Sequence, residues 1–315
     1  MSPLRIIFMG SAELARVSLD ALASQADFAV VGVVTQPDRP RGRELKLHAS
    51  PVKQAALRLE LPVLQPERAR NEDFVAQLRD LRPELIAVAA YGQILPKAIL
   101  ELPRFGCLNV HTSLLPKYRG AAPIQWAILN DEPETGVTIM KMDAGLDTGD
   151  VLTQVKTPIH ADDNAQTLHD RLGELGAALL VSTIREYVAR SIVPRPQPAA
   201  GASQARKLAK EDGRLDWSQP ARALWNRVRA FMPWPGAYTQ LPGQPHPQLL
   251  KIWRAEVVET TGPPGEIREA GKPGVTVTCG CQALRLVELQ REGGRRMSAA
   301  EFLAGHHLKP GDKFI

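Results

Sequence analysis

The chain is poor in the residues that staple, span or coordinate. Three cysteines in 315 residues are too few for a disulfide framework. Cys279-Gly-Cys281 is too tightly spaced for the usual zinc pairing, and Cys107 has no cluster around it. Reduced thiols in a cytoplasmic protein, with no metal, are therefore expected. No apolar run reaches the roughly 18–20 residues of a membrane span. The N-terminus enters directly on Leu4-Arg-Ile-Ile-Phe-Met9, with no signal-peptide pattern. A GxGxxG fingerprint is also missing. Gly10-Ser-Ala-Glu13 carries one glycine, so no NAD is expected, and Asp38 reads as a turn residue rather than a ribose-binding acid.

What remains describes an ordinary globular protein, 44% hydrophobic and 23% charged, long enough for one large or two medium domains. Its net charge of +5 is unevenly spread. Residues 1–190 carry 21 Lys and Arg against 23 Asp and Glu, whereas residues 191–315 carry 18 against 11. A near-neutral first part joined to a basic second part points to an anionic partner for the second, with nucleic acid the leading candidate.

The opening reads as strand, helix, strand: residues 4–9, about 12–23 and 28–34. Apolar runs without alternation indicate a mostly parallel sheet covered on both faces, an α/β, Rossmann-like domain over residues 1–190. A central strand at 84–90 leads into Tyr91-Gly-Gln-Ile-Leu-Pro96, whose backbone falls at a strand's C-terminal end. A long helix over about 163–190 shows an apolar stripe through Leu168, Leu172, Leu175, Leu179 and Val188. The segment 36–46 holds Arg39, Arg41, Arg43 and Lys46 among prolines and a glycine that argue against regular structure. It reads either as a solvated surface loop or as a phosphate-contacting finger. Residues 191–206, rich in Pro, Ala and Gly, have the composition of a linker. Beyond it, over 207–315, a helix at about 219–231 precedes short strands separated by Gly and Pro turns, the pattern of a small OB-like β-barrel.

The chemistry concentrates in Phe105–Ala122. Asn109 and His111 lie two residues apart in a short strand, so an amide and an imidazole emerge on one face. The loop Ser113-Leu-Leu-Pro116 follows, at the strand end where parallel sheets bind ligands. Downstream, Met142–Asp150 adds three aspartates, Asp143, Asp147 and Asp150. This set suits acyl transfer. Asn109 can donate to a developing oxyanion, an imidazole handles protons near neutrality, and a carboxylate beside it favours the protonated ring. No serine or cysteine is paired with a base, so direct attack by a substrate amine is simpler than a covalent intermediate.

These stretches resemble the methionyl-tRNA formyltransferase family over nearly the whole chain. The matching pieces include Phe8–Ala15, Val34–Pro40, Ala90–Lys97, Asn109–Pro116, Arg119–Gln125 and Met142–Asp150. In the second domain, Lys207–Trp217 and Arg229–Gly236 match as well. The resemblance implies catalytic Asn109, His111 and Asp147, preferring Asp147 to its two neighbours. It implies that Ser113, Leu114, Leu115 and Pro116, with Tyr91 and Gly92, bind 10-formyltetrahydrofolate as co-substrate, without a metal. It also implies methionyl-initiator tRNA as acceptor, with Arg39, Arg41, Arg43, Lys46, Lys207 and Lys210 on the RNA; a monomer is the default expectation. Thr112 stands where a smaller residue is usual, Glu44-Leu-Lys-Leu47 is sparser in lysine than the family's loop, and Gln204 replaces a common Tyr.

Overall fold

The computed structural model describes residues 2–41, 46–241 and 248–314. They form two compact units. The first comprises residues 1–123, 134–158 and 169–205; the second comprises 124–133, 159–168 and 206–315.

The chain begins with β1 (Leu4–Gly10), α1 (Glu13–Ala23), β2 (Phe28–Val34), β3 (Arg39–Arg41), β4 (Lys46–His48) and α2 (Pro51–Arg58). It continues through β5 (Val63–Leu64), α3 (Glu72–Asp80), β6 (Leu85–Ala89), α4 (Lys97–Leu100), β7 (Cys107–His111) and β8 (Arg119–Gly120). Then come α5 (Pro123–Leu129), β9 (Glu134–Lys141), β10 (Val151–Pro158), α6 (Ala165–Val188) and β11 (Gln204–Ala205).

Seven strands make one sheet in the order β10-β9-β7-β6-β1-β2-β5. The run from β7 to β5 is parallel, and β9 and β10 pair antiparallel at one end. Position in the sheet explains the sequence of each strand. Central β6 is Leu-Ile-Ala-Val-Ala and wholly buried, whereas edge strand β10, Val-Leu-Thr-Gln-Val-Lys-Thr-Pro, mixes apolar and polar residues and is only partly buried. Ile7, Met9, Val34, Ile86, Val88 and Cys107 supply one sheet face to a core closed by Phe74, Val75 and Leu78 of α3. Burial there pushes the Cys107 thiol up to about 12.

Two expectations need correction. The segment 36–46 is not wholly irregular, because β3 and β4 pair antiparallel with Arg39 opposite His48 and Pro40 opposite Leu47. A two-stranded ribbon tolerates a proline where its missing N–H points away from the partner. Arg43 lies outside the described residues, as do the side chains of Arg41 and Lys46. On α6 the buried ridge runs through Leu172, Gly176, Leu180 and Ile184, with Leu175, Leu179 and Val188 only half-buried. Gly176 sets that phase: a Cβ there would stand 2.8 Å from Val110 Cγ1, so only glycine lets the helix lie this close to β7.

The second unit carries α7 (Ala221–Ala230), β12 (Ala237–Leu241), β13 (Gln248–Val258), β14 (Ile267–Gly271), β15 (Gly274–Thr278), β16 (Ala283–Arg291), β17 (Met297–Ser298) and α8 (Ala299–Gly305). Its strands form one antiparallel sheet, β12-β13-β16-β15-β14, with β17 on β16. Among the described residues no ladder joins β14 to β12. Leu224, Val228, Leu250, Ile252, Val277, Leu286 and Phe302 build its core. Helix α8 was not anticipated, although Ser298 and Glu301 cap it reciprocally: Glu301 N donates to Ser298 Oγ at 3.2 Å and Ser298 N to Glu301 Oε2 at 2.9 Å. Arg229, from the second-domain motif, packs 3.7 Å from the ring centre of Trp225 and donates to the carbonyls of His160 and Asp163. Burial, reinforced by the charge of Arg222, lowers its guanidinium to about 10. No helix among the described residues is long and apolar enough to cross a membrane.

Candidate active site

Parallel register brings the ends of β1, β6 and β7 to one edge of the first unit's sheet, with Gly10 level with Ala89 and Val88 level with Asn109. Ligand sites of α/β sheets form beyond such ends. Asn109 is half-buried, and its amide makes no hydrogen bond among the described residues. His111, the last residue of β7, is 5% exposed.

The His111 ring is fixed by its neighbours. Nε2 lies 2.9 Å from the Tyr118 carbonyl oxygen, which only accepts, so Nε2 carries a proton and donates. That leaves Nδ1 facing Asp147, 3.6 Å from Oδ2. The same Oδ2 accepts the Gly120 N–H at 2.8 Å. Asp147 holds a left-handed backbone, φ +53°. For a residue other than glycine this costs of order 1–3 kcal/mol, though Asp tolerates it better than most. Such strain persists where the surroundings over-determine it.

The other two aspartates of the loop are placed differently. Asp143 Oδ1 accepts from Gly145 N at 3.0 Å and from Thr148 Oγ1 at 2.8 Å, so this carboxylate closes its own turn. Asp150 contributes its carbonyl oxygen, which accepts from Lys141 N at 2.8 Å. Glycine is required beside Asp147 for space: a Cβ on Gly149 would lie 1.9 Å from Lys141 O. Gly120 is required for both space and conformation, with φ +121° and Ala205 O 2.6 Å from a would-be Cβ.

The loop Ser113–Pro116 is held from beneath. Buried Thr138 donates its hydroxyl to Ser113 O at 2.6 Å and accepts from Leu115 N at 3.1 Å. Gln154 Nε2 reaches both Thr138 Oγ1 and Leu115 O at 2.9 Å. Ser113 Oγ donates to Lys117 O at 2.6 Å. With so many polar groups satisfied internally, the loop offers a ligand its shape and the half-buried Leu114 and Pro116 more than hydrogen bonds. Thr138→Val is expected to leave the buried Leu115 N–H unpaired. It should destabilise the fold by roughly 1–3 kcal/mol in denaturant titration and raise KM for whatever ligand packs on this loop.

Tyr91 sits in the core, 2% exposed, with burial pushing its phenol up to about 12. Its contribution to the edge is backbone: Tyr91 O accepts from Gln36 Nε2 at 3.1 Å, and exposed Gly92 follows with φ +82°. Asp38 is ion-paired to Lys53 at 2.6 Å and bonded to Gln65, which together hold its carboxyl below the usual range. A cavity of about 710 Å³ lies between β5 and α3, lined by Pro66, Arg68, Arg70 and Phe74 among others. None of Asn109, His111 and Asp147 borders it.

Comparison with known proteins bears on this geometry. A family model described as formyl transferase matches residues 4–184, and one described as formyl transferase, C-terminal domain, matches 207–307. The methionyl-tRNA formyltransferase of Citrifermentans bemidjiense is 49% identical over 311 residues, covering 99% of this chain and 96% of that one. That of Thiobacillus denitrificans is 51% identical over 313 residues, covering 98% and 99%. The chain belongs to the methionyl-tRNA formyltransferase family.

Solved structures share the fold. An N-formyltransferase from Helicobacter canadensis, in complex with folinic acid and dTDP-3-aminofucose, superposes with TM-score 0.63 at 19% identity, covering 91% of this chain and 99% of that one. HypX from Aquifex aeolicus, in complex with tetrahydrofolic acid, gives TM-score 0.62 at 18% identity, covering 96% of this chain. This chain spans 47% of that longer protein. Within the family frame, Arg39, Lys207 and Lys210 are all exposed. The residues that reading by motif missed are Tyr118, Thr138, Gln154 and Gln197. Each is an uncharged polar or backbone contact, and the motif residues Arg119 and Gly120 were the only nearby signal.

Proposed function

We propose that this member of the methionyl-tRNA formyltransferase family transfers the formyl group of 10-formyltetrahydrofolate to the α-amine of methionyl-initiator tRNA. The observation that carries the reading is one constellation at the end of β7. Asn109 presents an amide that makes no hydrogen bond among the described residues, and His111 has Nε2 locked and Nδ1 turned toward Asp147.

The co-substrate supplies a formyl group on nitrogen, activated for transfer to an amine. The incoming amine attacks the formyl carbon, and the carbonyl oxygen gains negative charge. Asn109 donates to that oxygen, and protonated His111, whose two N–H groups are directed at Tyr118 and Asp147, stabilises the growing negative charge through its field rather than by a direct bond. Asp147 stabilises the doubly protonated ring and takes up the proton that the attacking nitrogen must lose, directly or through water. Collapse breaks the bond to the folate nitrogen, which accepts a proton as it leaves, so one proton given up balances one taken. Ser113–Pro116 supplies a rigid floor for the pterin, and the Tyr91–Gly92 backbone borders it. Ile94, 84% exposed on the same loop, extends the apolar surface.

Arg39, Arg41, Arg43 and Lys46 are assigned to the acceptor end of the tRNA, and Lys207 and Lys210 to its phosphates as the basic 207–315 domain begins. The enzyme acts in the cytoplasm as a monomer, and the Pro-rich stretch 191–206 connects the two domains. RNA affinity is expected to fall linearly in log–log titration against salt, and each removed phosphate contact should reduce the slope by about 1. Affinity indifferent to salt contradicts the assignment. The activity itself is tested by formylation of methionyl-initiator tRNA beside methionyl-elongator tRNA. Formylation of the initiator alone, lost in Asp147→Ala, supports the reading. Equal formylation of both tRNAs, or activity retained in the variant, counts against it.

A further inference from the structure

The stretch 191–206 has a linker's composition, yet its middle is bonded into the first unit around Asp147. Gln197 stands at the centre. Its Nε2 donates to Asp147 O at 2.9 Å and to Gly149 O at 2.8 Å, using both amide protons on the loop that carries the carboxylate. Its Oε1 accepts from Arg119 Nε at 3.0 Å and Nη2 at 2.7 Å. Arg119 in turn lies between the two residues that fix the reacting groups. Tyr118 O holds the His111 ring, and Gly120 N holds the Asp147 carboxylate. The segment 118–121 is itself seated on the same stretch. Tyr118 N donates to Ser203 Oγ at 2.9 Å, Arg119 N to Ser203 O at 2.8 Å and Ala121 N to Ala205 O at 2.9 Å.

The result is a closed ring of contacts: His111, Tyr118, Arg119, Gln197, Asp147, and back to His111. Asp147 is anchored twice, through its carboxylate by Gly120 and through its backbone by Gln197. The second anchor opposes the relaxation of its left-handed backbone. Without it the carboxylate is free to swing while still bound to Gly120, and the 3.6 Å approach to Nδ1 is no longer enforced.

We propose that Gln197 is a positioning residue for the formyl-transfer reaction, which makes the 195–205 stretch part of the catalytic apparatus rather than a passive connector. The inference rests on the role given above to Asp147. It is tested in the full-length protein with Gln197→Leu and Gln197→Glu, alone and combined with Asp147→Asn, measuring kcat and both KM values. Gln197→Glu keeps the acceptor for Arg119 and removes both donors to the Asp147 loop, so it separates the loop anchor from the bond to Arg119. Both single variants are expected to lower kcat by about 10²-fold, the scale of a misplaced catalytic group, with little change in KM. Combined with Asp147→Asn, neither is expected to lower kcat beyond Asp147→Asn alone. A wild-type kcat in Gln197→Glu overturns the inference, as do losses that multiply with that of Asp147→Asn. Should Asp147→Asn itself turn over at the wild-type rate, the role of Asp147 fails and the inference with it. An impaired Asp147→Asn beside an intact Gln197→Glu removes the inference alone.

Discussion

His111→Gln is expected to lower kcat by about 10²–10³-fold with KM for both substrates little changed, and His111→Ala to do so with a loss of stability as well. The difference follows from the two ring nitrogens. Nε2 donates to the Tyr118 carbonyl, a structural bond inside a residue that is only 5% exposed. Glutamine can place an N–H near that position and keep the carbonyl satisfied. Alanine removes that buried bond altogether, at roughly 1–3 kcal/mol. Nδ1 is the nitrogen turned to Asp147, and neither variant replaces it. A steady-state comparison with melting temperatures therefore separates chemistry from folding. The account predicts that the two variants share a kcat deficit and differ in Tm. Near-normal turnover in His111→Gln removes Nδ1 from the mechanism.

Asn109 carries the second large effect. Its amide is two residues upstream on the same strand face and makes no hydrogen bond among the described residues, so its donor is available to substrate at no structural cost. Removing one donor to an oxyanion typically costs about 10²–10³-fold in kcat. Asn109→Ala is expected to fall in that range with the fold intact. Asn109→Asp, nearly isosteric, is expected to be worse than alanine at neutral pH. It replaces the donor by a negative charge beside an oxygen that itself becomes negative. If Asn109→Asp were as active as the parent, oxyanion stabilisation at this position would be untenable. Single-turnover measurement is the suitable readout, since it isolates the chemical step from product release.

How legible the site was depended on distance along the chain. Asn109 and His111 share a face by the two-residue period of a strand, which needs no tertiary knowledge. The choice among Asp143, Asp147 and Asp150 rests in the sequence on the family resemblance alone. Sequence spacing cannot show that Asp143 is spent on Gly145 and Thr148 while Asp147 turns to the imidazole. Gln197 was invisible for a different reason: flanked by Pro196 and Pro198, it looks like linker, and only closure over the loop gives its amide two acceptors. The parallel core was plain in the unbroken apolar runs of β1 and β6. The pairing of β3 with β4 was not, because a proline discourages regular structure in general, yet Pro40 stands opposite Leu47 in that ladder. The register of α6 is hard to read from sequence because glycine scores nothing for hydrophobicity, although Gly176 is where the helix packs against Val110 of β7. Ser298 and Glu301, by contrast, spell out the start of α8 in the sequence itself, three residues apart as a capping box requires.

The most direct test follows the fate of the formyl group. With 10-formyltetrahydrofolate labelled in the formyl carbon and methionyl-initiator tRNA present, label and tetrahydrofolate are counted together. The account predicts one labelled formylmethionyl-tRNA for each tetrahydrofolate formed and negligible free formate. Label released as formate at the same rate with or without tRNA would show water, not the amine, as the acceptor, and would contradict it.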